Sequence, residues 1–111
     1  MVTKNRLIEI IKEIFEKYSE TDLFNAKVRY QKIIDTEQDI YILKAIGWTK
    51  SRPINSVIFD FEIINEKIYI YFDGTEKGVA LEFEDFGVPK TQIVLAWIAP
   101  SRRKYTNYAE A

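Results

Sequence analysis

The sequence predicts an α+β fold: an N-terminal helix, a four-stranded antiparallel meander sheet, then a second helix and a short buried extended segment, arranged as a two-layer sandwich. Three observations predict it. Residues 3–18 repeat apolar side chains every three or four positions, residues 27–73 break into stretches of alternating polarity separated by turn residues, and residues 73–89 carry the start and stop signals of a helix. Sheets of this kind cover one face with helices and leave the other partly wet.

In the first helix Leu7, Ile10, Ile11, Ile14, Phe15 and Tyr18 form one stripe, while Lys4, Glu9, Lys12, Glu13, Glu16 and Lys17 face the other way. Residues 19–26 read as a polar loop whose Leu23 and Phe24 tuck under that helix. Residues 27–34 are a strand, 35–38 its turn, and 39–48 the returning strand with Ile40, Ile42, Ile46 and Trp48 on one side. Pro53 marks the end of that pairing. Residues 54–64 alternate Val57, Phe59, Phe61 and Ile63 against Ser56, Asp60 and Glu62. Asn65-Glu66 is a tight turn, because Asn tolerates positive φ, and residues 67–73 follow with Ile68, Ile70 and Phe72 on one face. The second sheet face then holds Tyr69, Tyr71, Ile58 and Tyr41, an aromatic surface suited to a homo-oligomer or partner interface.

Asp73-Gly74 ends the fourth strand. Thr75 is placed to cap a helix with its hydroxyl, Glu76 puts negative charge in the first turn, and Val79, Phe83 and Phe86 fall on one face. Gly87 supplies the left-handed residue that closes a helix, Val88 folds back on the last turn, and Pro89 stops it. The continuously apolar residues 93–98 read as a buried extended segment.

Composition excludes several functions. A chain of 111 residues is a single domain, residues 1–111, that buries roughly 65% of its unfolded surface without needing a staple. A net charge of −1 argues against general nucleic-acid binding, which wants an excess of Lys and Arg. With no cysteine there is no disulfide or thiolate metal site, and with no histidine there is no Ser-His or Cys-His nucleophile, so carboxylates are the acid-base candidates near neutral pH. No signal segment and no apolar run of about 18 residues is present, which predicts a cytoplasmic protein without a membrane partner.

Asp73, Thr75 and Glu76 offer hard oxygen ligands to magnesium or calcium, but turn and cap needs explain all three, and Asp35, Glu37 and Asp39 read as a solvated turn. No catalytic, cofactor or metal site is assigned. Trp48 beside Arg52 offers stacking and a cationic donor to a base or phosphate; the alternative has Trp48 closing the core edge and Arg52 paired to a carboxylate. Arg102-Arg103-Lys104-Tyr105 mixes basic and aromatic character, but three charges are too few to hold DNA alone. Arg103 reads as a bidentate partner of Asp73 or Glu76 that pins the tail, as the acidic stretch 73–86 attracts the basic stretch 101–108.

The order Asp35-Thr36-Glu37, Asp39, Tyr41, Gly47-Trp48, Arg52, Lys67-Ile68, Asp73-Gly74-Thr75-Glu76, Gly78, Ala80, Gly87, Pro89-Lys90, Ile93-Val94-Leu95, Pro100, Arg103-Lys104-Tyr105-Thr106 and Ala109 resembles the XisI family, the fdxN element excision controlling factors. The resemblance spans most of the chain. It departs from the family pattern at Trp97-Ile98-Ala99-Pro100, where the family carries Phe-His-Pro-Pro, and at Asn65-Glu66, where it carries Asp-Gly. The resemblance implies a control factor for excision of a DNA element by a site-specific recombinase during cyanobacterial heterocyst differentiation, acting beside a XisH-like, nuclease-like companion that does any cutting. The expected contact residues are Trp48, Arg52, Tyr69, Tyr71, Arg102, Arg103 and Lys104. Two rivals are a direct DNA-binding accessory factor, which needs a basic stripe on one face, and a carboxylate-dependent hydrolase built on Asp73 and Glu76, which needs both in an open cleft.

Overall fold

The structure, a computed structural model, describes residues 1–20 and 27–111; Leu23 and Phe24 lie outside the described residues. The first helix, α1 (Lys4–Ser19), begins where Thr3 accepts the amide of Arg6 at 3.2 Å. Its predicted stripe buries Leu7, Ile10, Ile11, Ile14 and Phe15 against the sheet.

Among the described residues the sheet has five strands, not four, in the order β1 (Lys27–Asp35), β2 (Ile40–Trp48), β3 (Pro53–Ile64), β4 (Lys67–Asp73), β5 (Ile93–Leu95). The first four form the expected antiparallel meander. β5 is the correction: it pairs parallel to β4, Ile68 with Ile93 and Ile70 with Leu95, because a helical crossover returns the chain in the direction it left. Its run of apolar residues without alternation is the mark of a strand covered on both faces. Only residues 93–95 are strand; the chain then turns, and Trp97, predicted buried, is 51% exposed.

Two β-bulges decide which side chains reach which layer. The alternation puts Ile58 outside and Phe72 inside, and the structure reverses both. Between β2 and β3 the register shifts after Leu43, which turns Ile58 to the helix side, where it packs against the core. Between β3 and β4 it shifts after Asp60, leaving Tyr71 unpaired, so Phe72 joins Tyr71 on the open face and Asp73 comes round to the helices. On β2 the buried face is Tyr41, Leu43 and Ala45 rather than the Ile40, Ile42, Ile46 and Trp48 side. Tyr41 belongs to the core because it opposes buried Phe61, and its hydroxyl exits to Asp39 at 3.1 Å. The Asn65-Glu66 turn has φ of 50° and 60°, as a tight hairpin turn requires.

The rings of Phe15, Phe59, Phe61 and Phe83 join α1, β3 and α2 (Val79–Asp85) with centroids 5.2 to 6.2 Å apart. Such pairs are worth about 0.5–1.5 kcal/mol each beyond their burial. α2 starts later than predicted, and its cap is different: the carboxylate of Asp73, not the hydroxyl of Thr75, accepts the first helical amide, that of Val79, at 2.7 Å. Thr75 accepts the amide of Gly78 at 3.3 Å, and Glu76 precedes the helix instead of joining its first turn. At the far end Gly87, with φ of 95°, lets the amide of Val88 reach the carbonyl of Phe83 at 3.0 Å while its own reaches Glu84 at 2.9 Å. This is the predicted close, with Val88 buried. Glu82 is 3% exposed and held by the Lys17 ammonium and the Tyr18 hydroxyl, each at 2.5 Å, which ties α2 to the end of α1. Burial and that bond push the Tyr18 phenol up.

Candidate partner-binding face

The face of the sheet away from the helices is where exposed aromatic surface collects. In register its rows run Ile33, Ile42, Asp60, Phe72 and Asp35, Ile40, Glu62, Tyr69. Phe72 is 47% exposed, and with Tyr71, Asp73, Thr75 and Trp97 it lines a groove of about 430 Å³ at the end of β4. Beside these rings stand two carboxylates. Burial, then the neighbouring Glu62 charge, raises Asp60 above the ordinary carboxylate value. Glu62 accepts the Tyr71 hydroxyl at 2.7 Å, and that bond, with burial, pushes the phenol up to about 12. The result is an apolar patch with an acidic centre.

Trp48 and Arg52 are elsewhere. β3 pairs with β4 only from Phe59 onward, so residues 53–57 extend with β2 and β1 as a three-stranded arm beyond the body. Trp48, 61% exposed, sits at its tip opposite Pro53 and Lys27, roughly 20 Å along β2 from Ile42 at about 3.3 Å per residue. It does not close the core. Arg52 is exposed, its backbone tied to Thr49, and among the described residues it makes no ion pair. Gly47 is required there by space: a Cβ would stand 2.0 Å from the carbonyl oxygen of Lys27.

The tail is pinned, but not as predicted. Arg103 turns from Asp73 and Glu76 to main-chain carbonyls, giving its Nε to Ile98 at 2.9 Å, Nη1 to Glu110 at 3.3 Å and Nη2 to Ala96 at 3.4 Å. Asp73 is already filled by the amides of Thr75 and Val79 and the hydroxyl of Thr75. Among the described residues no ion pair joins the acidic stretch 73–86 to the basic stretch 101–108; Glu84 accepts instead from Lys90 and from the neutral Tyr108 hydroxyl, and those bonds hold its carboxyl below the usual range. Arg102 and Lys104 stay exposed on the 3₁₀ segment Pro100–Tyr105. The turn cluster behaves as expected, Asp35 accepting the amides of Glu37 and Gln38, while Asp39 pairs with Lys4 at 2.8 Å. Among the described residues no group of three or more acidic side chains is disposed to hold a metal ion, and no helix is long and apolar enough to cross a membrane.

The XisI protein family model matches residues 1–110. The chain belongs to the XisI family. A XisI-like protein from Anabaena variabilis is 32% identical, with a TM-score of 0.86 over 96% of this chain and 97% of that one. The fdxN element excision controlling factor XisI from Anabaena variabilis is 31% identical, with a TM-score of 0.77 over the same shares. No curated protein matches.

In this XisI-family chain the motif residues hold the fold. Asp73 caps α2; Gly74 brings its amide to the carbonyl of Ile58 at 2.8 Å, where a Cβ would crowd that oxygen at 3.1 Å; Gly87 closes α2; Pro89 opens the 3₁₀ turn Lys90–Gln92; and Lys90 reaches Glu84. Sequence reasoning missed the exposed pair Phe72 and Trp97. For Phe72 no residue-level signal exists, since the bulge that exposes it lies in strand pairing; for Trp97, Pro100 three residues on was a cue that the apolar run ends early.

Proposed function

We propose that this chain is a non-catalytic control factor that acts by binding a XisH-like companion through its open sheet face, in the service of DNA-element excision such as the name of its Anabaena variabilis relative describes. The observation that supports it is the exposed cluster of Tyr71, Phe72 and Trp97 beside Asp60 and Glu62. Aromatic anchors ringed by polar groups are the composition of interface hot spots. Trp48 and Arg52 on the arm, with Arg102 and Lys104 on the tail, extend the contact. Asp73 argues against the hydrolase, because a carboxylate accepting three hydrogen bonds from its own turn and helix is committed as a cap. Direct DNA binding is the weaker reading, since the open face mixes Lys27, Arg29 and Lys44 with Asp35, Asp60 and Glu62 and so offers no basic stripe.

The test is capture of a XisH-like companion by the tagged chain. Native protein should retain it in defined stoichiometry, while Phe72→Asp and Trp97→Ala, both outside the core, should lose it by about thirtyfold or more with an unchanged melt. Undiminished capture by both variants, or full companion activity in the absence of this chain, would overturn the reading.

A further inference from the structure

We propose that two copies of this chain join edge to edge through β1, antiparallel and centred on Gln31, to make one continuous ten-stranded sheet. β1 pairs with β2 along nine residues without a register shift, and among the described residues no strand pairs with its other side. The opposite edge is different. β5 has three residues, and the tail crosses it, with the amide of Ala109 on the carbonyl of Ile93 at 2.8 Å. Of the devices that blunt a sheet edge left for solvent, β1 lacks proline, bulges and shortness and carries charge alone, in Lys27, Arg29 and Lys32.

The occupant follows from the sequence of the strand. Read against itself about Gln31, β1 sets Lys27 opposite the second copy's Asp35, Val28 opposite Ile34, and Arg29 opposite Ile33. Lys27 thus meets the opposite charge of Asp35 and Val28 meets aliphatic Ile34, while Arg29 falls on Ile33 and Tyr30 on Lys32, and a two-fold axis makes each pair occur twice. This register also uses all nine residues. Centring on Lys32 instead would oppose two lysines on the axis. Main-chain hydrogen bonds supply the affinity of such strand addition, and the side-chain pairs fix its register. Pairing continues the pleat, so Arg29, Gln31 and Ile33 of both copies lie on one shared open face. The edge and the companion face are separate surfaces, so companion capture by a strictly monomeric chain would end this inference and leave the companion reading standing.

The test uses the full chain. Light scattering should give twice 13.1 kDa, with the mass falling toward 13.1 kDa on dilution. Because the chain has no cysteine, Gln31→Cys introduces a single thiol, which under mild oxidation should form a disulfide-linked dimer, while Lys44→Cys on the open face should not. Lys27→Glu, which sets glutamate against Asp35 twice, should raise the dimer dissociation constant about tenfold, with circular dichroism unchanged. A mass of 13.1 kDa at every concentration, or linking through Lys44→Cys in place of Gln31→Cys, would overturn the proposal.

Discussion

The carboxylate of Asp73 takes the amide of Val79 at 2.7 Å with one oxygen and the hydroxyl of Thr75 at 2.6 Å with the other. One side chain thereby ends β4, fixes the following turn and starts α2. Asp73→Ala should cost about 1–2 kcal/mol, the upper range for a lost helix cap, and lower Tm by about 4–10 °C. Asp73→Asn, which keeps one acceptor, should fall between. Thermal melts of the three proteins decide it, and an unchanged Tm for the alanine variant would remove the cap from the account of α2.

Arg103 holds carbonyls, a task for a planar fork rather than a single ammonium. Arg103→Lys should therefore free the tail almost as fully as Arg103→Ala. Limited proteolysis read by mass spectrometry should show earlier cleavage beyond Ala96 in both, whereas Arg102→Ala and Lys104→Ala, on exposed side chains, should cut like the native chain.

Stability should fall at both ends of the pH scale. A free tyrosine ionises near pH 10, but burial first, then a bond to Asp39 or Glu84, pushes Tyr41 and Tyr108 up to about 12. The folded state binds those protons more tightly, so its advantage is complete below pH 10 and disappears as pH rises toward 12. Asp35 and Glu84 run the other way: bonds from the Gln38 amide and from Lys90 hold them low, so their contribution is present above the ordinary carboxylate range and lost as pH falls through it. Denaturant midpoints across pH, with phenolate absorbance followed at the alkaline end, would show a plateau between the two declines.

Asp60 has the opposite sign. Its raised carboxyl means that the fold gives up stability once pH climbs through the carboxylate range and the group ionises. Asp60→Asn should thus stabilise the chain at neutral pH and do nothing in acid, while weakening companion capture. A gain in stability paired with a loss of binding is the signature of a residue kept for contact rather than for folding.

Where sequence and structure agree, a single local cue was enough: the three-four spacing of α1, the left-handed Gly87 before Pro89, the Asn65 turn. Where they part, the deciding event was non-local. A bulge is an extra residue in one strand relative to its partner, so alternation read along β4 could not reveal that Tyr71 drops out of register and sends Phe72 outward. The same shift turns Asp73 inward, which is why Thr75 looked like the cap. Parallel pairing of β5 is equally invisible, because the cue is the direction of a crossover and not any residue within Ile93–Leu95. At the candidate face, Tyr71 was legible and its neighbours Phe72 and Trp97 were not. Buried Gln92, 2% exposed, had no apolar pattern to announce it.

That glutamine closes a long circuit. Its side chain accepts the amide of Val2 at 2.6 Å and donates to the carbonyl of Val2 at 2.8 Å, while Ala109 rests on Ile93 next door. Both ends of the polypeptide are therefore moored at the same margin of the sheet, four strands away from β1. A short linker should join them without strain, making the chain a candidate for circular permutation with new ends opened at the 49–52 turn. An affinity tag on either end will stand clear of the arm.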